Sequence, residues 1–126
     1  MDYISEIEKN QSIQSLERMV RANGDMKLLN KLAMEAGHVA AEVLRVNLEE
    51  AGIDQNSTID EIRNIVSPVL RANHKYVSEL AAVPINKMYK SNQIGLKVIY
   101  PEYNQVREDE LVQLISDKRF EDESDR

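Results

Sequence analysis

The sequence contains no cysteine and no tryptophan, and it has a single phenylalanine among its 126 residues. The absence of cysteine excludes a disulfide framework and thiolate zinc sites, and it leaves the redox compartment open. Because aromatic residues make up only 5% of the chain, the core must be built from aliphatic side chains and methionine, which suits helices. Four glycines and three prolines are few for a β-rich fold with its many turns. Composition therefore favours an all-α fold.

Long apolar runs are also missing, since charge interrupts each one before the roughly 18 residues that a spanning helix needs. The first residues, Met1 to Ile4, lack the basic start of a signal peptide. We therefore expect no membrane span, no secretion signal and no membrane partner. The net charge of −6 opposes attraction of the whole surface to nucleic acid, although a local basic patch can still bind it.

Apolar residues recur at helical spacing along most of the chain. We predict an amphipathic helix from about Tyr3 to Ala22, followed by a left-handed cap at Asn23-Gly24. Asp25 can cap a second helix that runs to about Glu50 and ends at Gly52. That helix carries a seam of small residues that would let another helix approach closely, namely Ala33, Ala36, Gly37, Ala40 and Ala41.

The second half of the chain contains a capped helix start and two prolines in apolar surroundings. Ser57-Thr58 precedes two carboxylates and predicts the start of a third helix. Pro68 predicts a break or kink near Val66, after which a helix resumes toward Tyr89 with a further kink at Pro84. The run 94–101 has β-like composition and predicts an edge strand or extended connector.

A last helix is predicted after Asn104, which can serve as its N-cap. We expect its inner side to carry four apolar residues, Val106, Leu111, Leu114 and Ile115, and its early turns to carry the acids Glu108, Asp109 and Glu110. The predicted fold is thus an all-α helical bundle of about four to five helices with one extended connector near 94–101. Residues 1–116 would form a single helical domain and residues 117–126 an acidic flexible tail.

No pattern predicts a catalytic, cofactor or metal site. Glu35 and His38 have the Glu-x-x-His spacing of a helical metal ligand pair, but the other histidine, His74, has no glutamate three residues before it. Ser78 follows His74 by one helical turn without a glycine-rich elbow. The glycines are scattered singly, so phosphate loops are absent. We expect no enzyme activity, no cofactor and no small-molecule substrate.

The segment 71–97 is the basic part of an acidic chain, with five basic residues and one acidic residue between positions 71 and 100. Cations and aromatic rings together can hold nucleic acid or a protein partner. The alternative interpretation is a solvated helix face that complements acidic helices of the same domain. The candidate binding residues are Arg71, Lys75, Tyr76, Lys87, Tyr89, Lys90 and Lys97.

Three segments of the second half also occur together, in order, in one protein family. They are Ser67-Pro68-Val69-Leu70-Arg71-Ala72-Asn73-His74 with the helix that continues from it, Ile94-Gly95-Leu96-Lys97, and Pro101-Glu102-Tyr103-Asn104-Gln105-Val106-Arg107. This region resembles the minor head proteins of tailed phages, also called head morphogenesis or minor capsid proteins. In both, a helix leads to a Gly-containing segment and then to Pro-x-x-Asn-Gln-x-Arg.

Two positions depart from the family pattern, since Gln93-Ile94 stands where the family has Gly-Ile, and Pro84 interrupts a helix that is usually free of proline. Members of the family continue beyond this length into a segment with a Cys-x-x-Cys-like pattern, so the resemblance concerns their N-terminal region. The motif residues Pro68, Asn73, Gly95, Pro101 and Asn104 are expected to have structural roles.

The resemblance implies a low-copy virion protein near the portal, with a role in head assembly or DNA release and no catalytic residues. Its location would be the virion, and the bacterial host cytoplasm during assembly. The expected partners are portal or capsid proteins and further copies of the chain. Two other hypotheses stay open: a nucleic-acid-binding protein that uses 71–97, and a small phage-encoded inhibitor of a host enzyme.

Overall fold

The computed structural model describes the backbone of residues 1–92 and 101–124 and the side chains of residues 1–82 and 101–118. Over these ranges the chain forms five α-helices and no strand, which confirms the predicted all-α bundle. The helices are α1 (Tyr3–Lys9), α2 (Gln11–Asn23), α3 (Met26–Glu50), α4 (Ile59–Asn92) and α5 (Gln105–Ser124). The predicted extended connector falls, apart from Pro101, on residues outside the described ranges, as does Gly95.

The first predicted helix is in fact two helices, because the chain leaves the helical conformation at Asn10. The Asn10 backbone is extended, with φ −82° and ψ 111°, and its side-chain oxygen accepts a hydrogen bond from the Ile13 amide at 3.1 Å. Asn10 therefore caps the end of α1 and the start of α2 at once. The prediction of one helix from Tyr3 to Ala22 is wrong at this residue.

The predicted boundaries of α3 are confirmed at both ends. Gly24 has the left-handed conformation, with φ 63°, and the Asp25 side chain accepts a hydrogen bond from the Lys27 amide at 2.8 Å. At the other end Gly52 has φ 66°, which a residue with a side chain adopts only with strain. The left-handed glycine lets the next amide, that of Ile53, bond back to the helix.

Helix α4 begins with a reciprocal capping box. The Glu61 amide donates to the Thr58 hydroxyl at 3.1 Å, while the Thr58 amide donates to the Glu61 carboxylate at 3.3 Å. The helix then continues through Pro68 and Pro84, so a break near Val66 is wrong, while a kink there stays a prediction. Pro68 is exposed and costs one helical hydrogen bond, whereas burial of the residues on either side of it favours an unbroken helix. A kink at Pro84 stays a prediction.

Helix α5 begins where the sequence predicts, but it turns a different face inward. Asn104 accepts the Arg107 amide at 3.0 Å as N-cap. Val106 and Leu114 are 66% and 49% exposed, whereas Val112 is buried. The prediction that Val106 and Leu114 lie on the inner side is therefore wrong.

The same helix extends past the predicted domain boundary at 116 and reaches Ser124. The division into a domain 1–116 and a flexible tail 117–126 stays a prediction.

The core forms where α3 and α4 pack against each other, and α1 and α2 cover them. Its most deeply buried aliphatic residues come from four helices: Ile13 and Val20 from α2, Leu32 and Val43 from α3, Ile62 and Val66 from α4, and Val112 from α5. Helix α5 packs on α4, which is the one described helix whose backbone it approaches closely, and its Val112 joins the core. Among the described helices, none combines the length and apolar character that a bilayer span requires.

Candidate functional site

An open groove of about 680 Å³ lies between α3 and α5 and has α4 as its floor. That volume falls within the roughly 300–1,000 Å³ of ligand sites in general. Aliphatic or small residues from all three helices line it, namely Ala33, Gly37, Ala40, Ala41 and Leu44 of α3, Leu70 and Val77 of α4, and Leu111 and Leu114 of α5. This surface is called the α3–α5 groove below.

The α3 wall of the groove is built from the predicted small-residue seam. Ala36 and Ala40 turn toward the core, while Ala33 and Gly37 are half-buried and Ala41 is exposed. A methyl group added to Gly37 would meet nothing within 4 Å. The seam at Gly37 therefore leaves room for a close approach by another helix.

The α5 wall combines leucine side chains with charge. Arg107, Glu110, Leu111 and Leu114 share one face because their spacing is one or two helical turns. Leu111 is half-buried and Leu114 is half-exposed. Within the described residues, neither the Arg107 nor the Glu110 side chain forms an ion pair. This face therefore has both apolar area and two charges available for a partner.

One end of the groove is closed by a stack of rings and a cation. The His74 ring meets the Tyr103 ring edge-on with 5.6 Å between centroids, and the Arg71 guanidinium lies 4.3 Å from the centre of the same tyrosine ring. Arg71 also donates to the Ser67 hydroxyl and to the side-chain oxygen Oε1 of Gln105, both at 3.0 Å. These contacts fix the segment before α5 against α4.

A buried carboxylate, that of Glu108, anchors α5 beneath this stack. Glu108 is 1% exposed and accepts hydrogen bonds from Arg63 and Tyr103, each at 2.8 Å, and from the Gln105 amide. The same Arg63 nitrogen lies 2.6 Å from Asp109. Three donors, Arg63, Tyr103 and Gln105, thus satisfy a charge that would otherwise be costly to bury.

Two opposing effects set the pKa of Glu108. Burial raises it, but hydrogen bonds outweigh burial and lower the pKa to about 2, the donors being Ser67, Tyr103, Gln105 and Arg63. Burial also raises the pKa of Tyr103 to about 12, and its hydrogen bond to Glu108 acts in the same direction. The carboxylate is therefore ionised and the phenol protonated at neutral pH.

The stability of the fold is expected to decrease as the pH falls from about 4.5 toward 2. Since the folded pKa of Glu108 lies below its ordinary value of 4.5, the ionised carboxylate stabilises the fold above that pH and stops doing so as it is protonated. Denaturant unfolding at several pH values measures the loss. The Glu108→Gln variant should show a shallower decrease, and parallel decreases in the two proteins would contradict this assignment.

Asn73 links the groove floor to the N-terminal helix. Its side-chain oxygen accepts the Tyr3 hydroxyl at 2.6 Å, and the Ala36 carbonyl lies 3.4 Å from the same hydroxyl. Tyr3 is 3% exposed, and burial raises its pKa. Asn73 of the family motif therefore holds α1 against α4. Asn104, a second motif residue, caps the start of α5.

The predicted basic segment is only partly within the described side chains. Lys75 is exposed, but Arg71 is engaged with Tyr103, and Tyr76 is half-buried and donates to Glu17 at 2.9 Å. The ring of Tyr76 is thus packed between helices and is not an open stacking platform. The side chains of Lys87, Tyr89, Lys90 and Lys97 lie outside the described ranges. Binding by this segment stays a prediction.

The weaker chemical patterns do not assemble into a reactive site in the described part of the chain. His38 is exposed, and the carboxylate one turn after it, that of Glu42, is hydrogen-bonded to Arg45, which lowers its pKa. Among the described residues, no three potential ligands are grouped to hold a metal ion. The Ser78 hydroxyl and the His74 ring are 3.5 Å apart. No described carboxylate hydrogen-bonds that histidine, so an orienting acid is missing there.

Comparison with known proteins adds no relative, because the chain matches no family model, no curated protein and no solved structure. The description of the α3–α5 groove therefore rests on its geometry and chemistry.

Proposed function

We propose that the chain is a structural or assembly protein of a tailed-phage head that acts through protein–protein contacts in the α3–α5 groove. The observation that carries this proposal is the open apolar groove itself, bounded by three helices. Grooves of this kind accept the apolar face of an amphipathic helix. The proposed role is non-enzymatic, and the proposed location is the virion, with assembly in the bacterial host cytoplasm.

The resemblance to phage minor head proteins supports the phage part of the proposal. Two of its motif segments meet where α5 begins, because Arg71 of α4 lies over the Tyr103 ring and Asn104 caps α5. They place α5 opposite α3 and so shape the groove. The proposed partners are portal or capsid proteins and further copies of the chain.

Replacing Leu114 with glutamate is expected to reduce partner capture by about tenfold or more, because the apolar contact would have to bury a charge. The measurement is a pull-down with the tagged full chain from a phage-infected lysate at high salt, followed by mass spectrometry. Val106→Glu is the matched control, since Val106 is exposed on the same helix outside the groove. It should capture partners as the wild type does.

Equal capture by wild type, Leu114→Glu and Val106→Glu would show that the groove is not the binding surface. Recovery of nucleic acid alone, lost at high salt, would contradict the proposal and favour binding through segment 71–97. Recovery of portal or capsid protein that depends on Leu114 would support it.

A further inference from the structure

The α3–α5 groove is a gap between two helices that share a neighbour but do not pack on each other. Both α3 and α5 pack on α4, whereas the described backbones of α3 and α5 do not approach each other to a Cα–Cα distance of 8 Å. Helices that pack directly lie about 8–10 Å apart. A gap with two helical walls and a helical floor has the form of a bundle that lacks one member, and a helix is therefore its natural occupant.

The charges on the α5 wall show which helix fits. Arg107 and Glu110 lie one turn apart on the groove-lining face, and neither has an ion-pair partner among the described residues. Both side chains are exposed. A positive and a negative charge next to each other are complementary to the same pair on an antiparallel helix. Such self-complementarity is what a two-fold interface between identical chains requires.

We infer that the occupant of the groove is α5 of a second copy of this chain, with the two copies related by a two-fold axis. Arg107 of each copy then faces Glu110 of the other, so the ion pair forms twice. Leu111 and Leu114 are buried between the copies, and the open seam at Ala33, Gly37 and Ala41 receives the partner helix. The inference rests on the proposed function, because it names the occupant of the same groove.

Charge exchange tests this pairing directly. In sedimentation equilibrium over a range of concentrations, the wild-type chain should dimerise. Arg107→Glu and Glu110→Arg each place like charges opposite one another twice per dimer, and each should weaken dimerisation by about tenfold or more. The double variant carrying both changes restores opposite charges and should dimerise as the wild type does. An equimolar mixture of the two single variants should form the mixed dimer.

Both positions are exposed, so the variants should keep the helical circular dichroism of the wild type. A wild-type chain that stays monomeric at all concentrations, or a double variant that dimerises no better than the single ones, would overturn the inference. If the wild type is monomeric while Leu114→Glu still abolishes capture of portal or capsid protein, this inference fails and the proposed function stands. If the charge-exchange variants behave as predicted but no virion protein is captured, the dimer inference stands and the phage-assembly proposal fails.

Discussion

Replacing Glu108 with glutamine is expected to lower the free energy of unfolding by about 3 kcal/mol. The substitution keeps the size of the side chain but removes its charge and turns one acceptor into a donor. Arg63 donates to one carboxylate oxygen and Tyr103 to the other, so the amide group leaves one of the two donors facing another donor, in a position where Glu108 is only 1% exposed to solvent. Chemical denaturation followed by circular dichroism measures the change.

The control for this prediction is Asp109→Asn. Asp109 contacts the same Arg63 nitrogen, but its side chain is 52% exposed, so solvent screens the pair and the loss should be much smaller. Equal losses in the two variants would mean that burial of Glu108 does not determine its contribution.

Replacing Leu32 with alanine is expected to cost about 3–4 kcal/mol, within the range known for large-to-small changes in cores. Leu32 is fully buried on α3, where that helix packs against α2 and α4. The cavity would lie in the middle of the core, between helices that are anchored on several sides. The unfolding free energy from denaturant titration is the measurement.

Met34→Ala on the same helix is the matched control, because Met34 is 63% exposed. Its loss should stay below about 0.5 kcal/mol. A Leu32→Ala variant that unfolds at the same denaturant concentration as Met34→Ala would argue against the described position of α3 in the core.

Helix boundaries that depend on local hydrogen bonds could be predicted from the sequence. Asp25, Thr58 and Asn104 cap the helices expected of them, and Gly24 has the left-handed conformation. Each of these features involves residues within a few positions of one another, so the signal is complete in a short stretch of sequence. Asn10 was missed although it forms the same kind of cap, because it interrupts a continuous helical period.

Features that depend on tertiary packing were predicted less well. The α4 helix continues through Pro68 because buried residues on both sides outweigh one missing hydrogen bond. The inner face of α5 was misassigned because a charged residue, Glu108, is buried there, and polarity normally indicates exposure. No local pattern distinguishes Glu108 from the neighbouring acids, since its donors Arg63 and Ser67 belong to α4, which is far from Glu108 in sequence although it packs against α5.

The candidate site follows the same division. The small-residue seam of α3 could be recognised in the sequence, and it predicts that another helix can pack closely there. The groove could not be predicted from the sequence, because it depends on α5 packing on α4 while its backbone stays apart from that of α3. The start of α5 is held on α4 by contacts of Glu108 and Tyr103 with Arg63 and Arg71, which are far from them in sequence.

The central claim is that the α3–α5 groove binds protein, and photocrosslinking tests it most directly. Because the chain has no cysteine, Ala41→Cys provides a single attachment point for a benzophenone label on the exposed part of the α3 wall. Lys31→Cys, exposed on the same helix but outside the groove, is the control. In a phage-infected lysate at high salt, we predict a protein adduct from position 41, formed with a virion protein or another copy of the chain, and little from position 31. Equal adducts from both positions, or nucleic acid as the main adduct at position 41, would contradict the account.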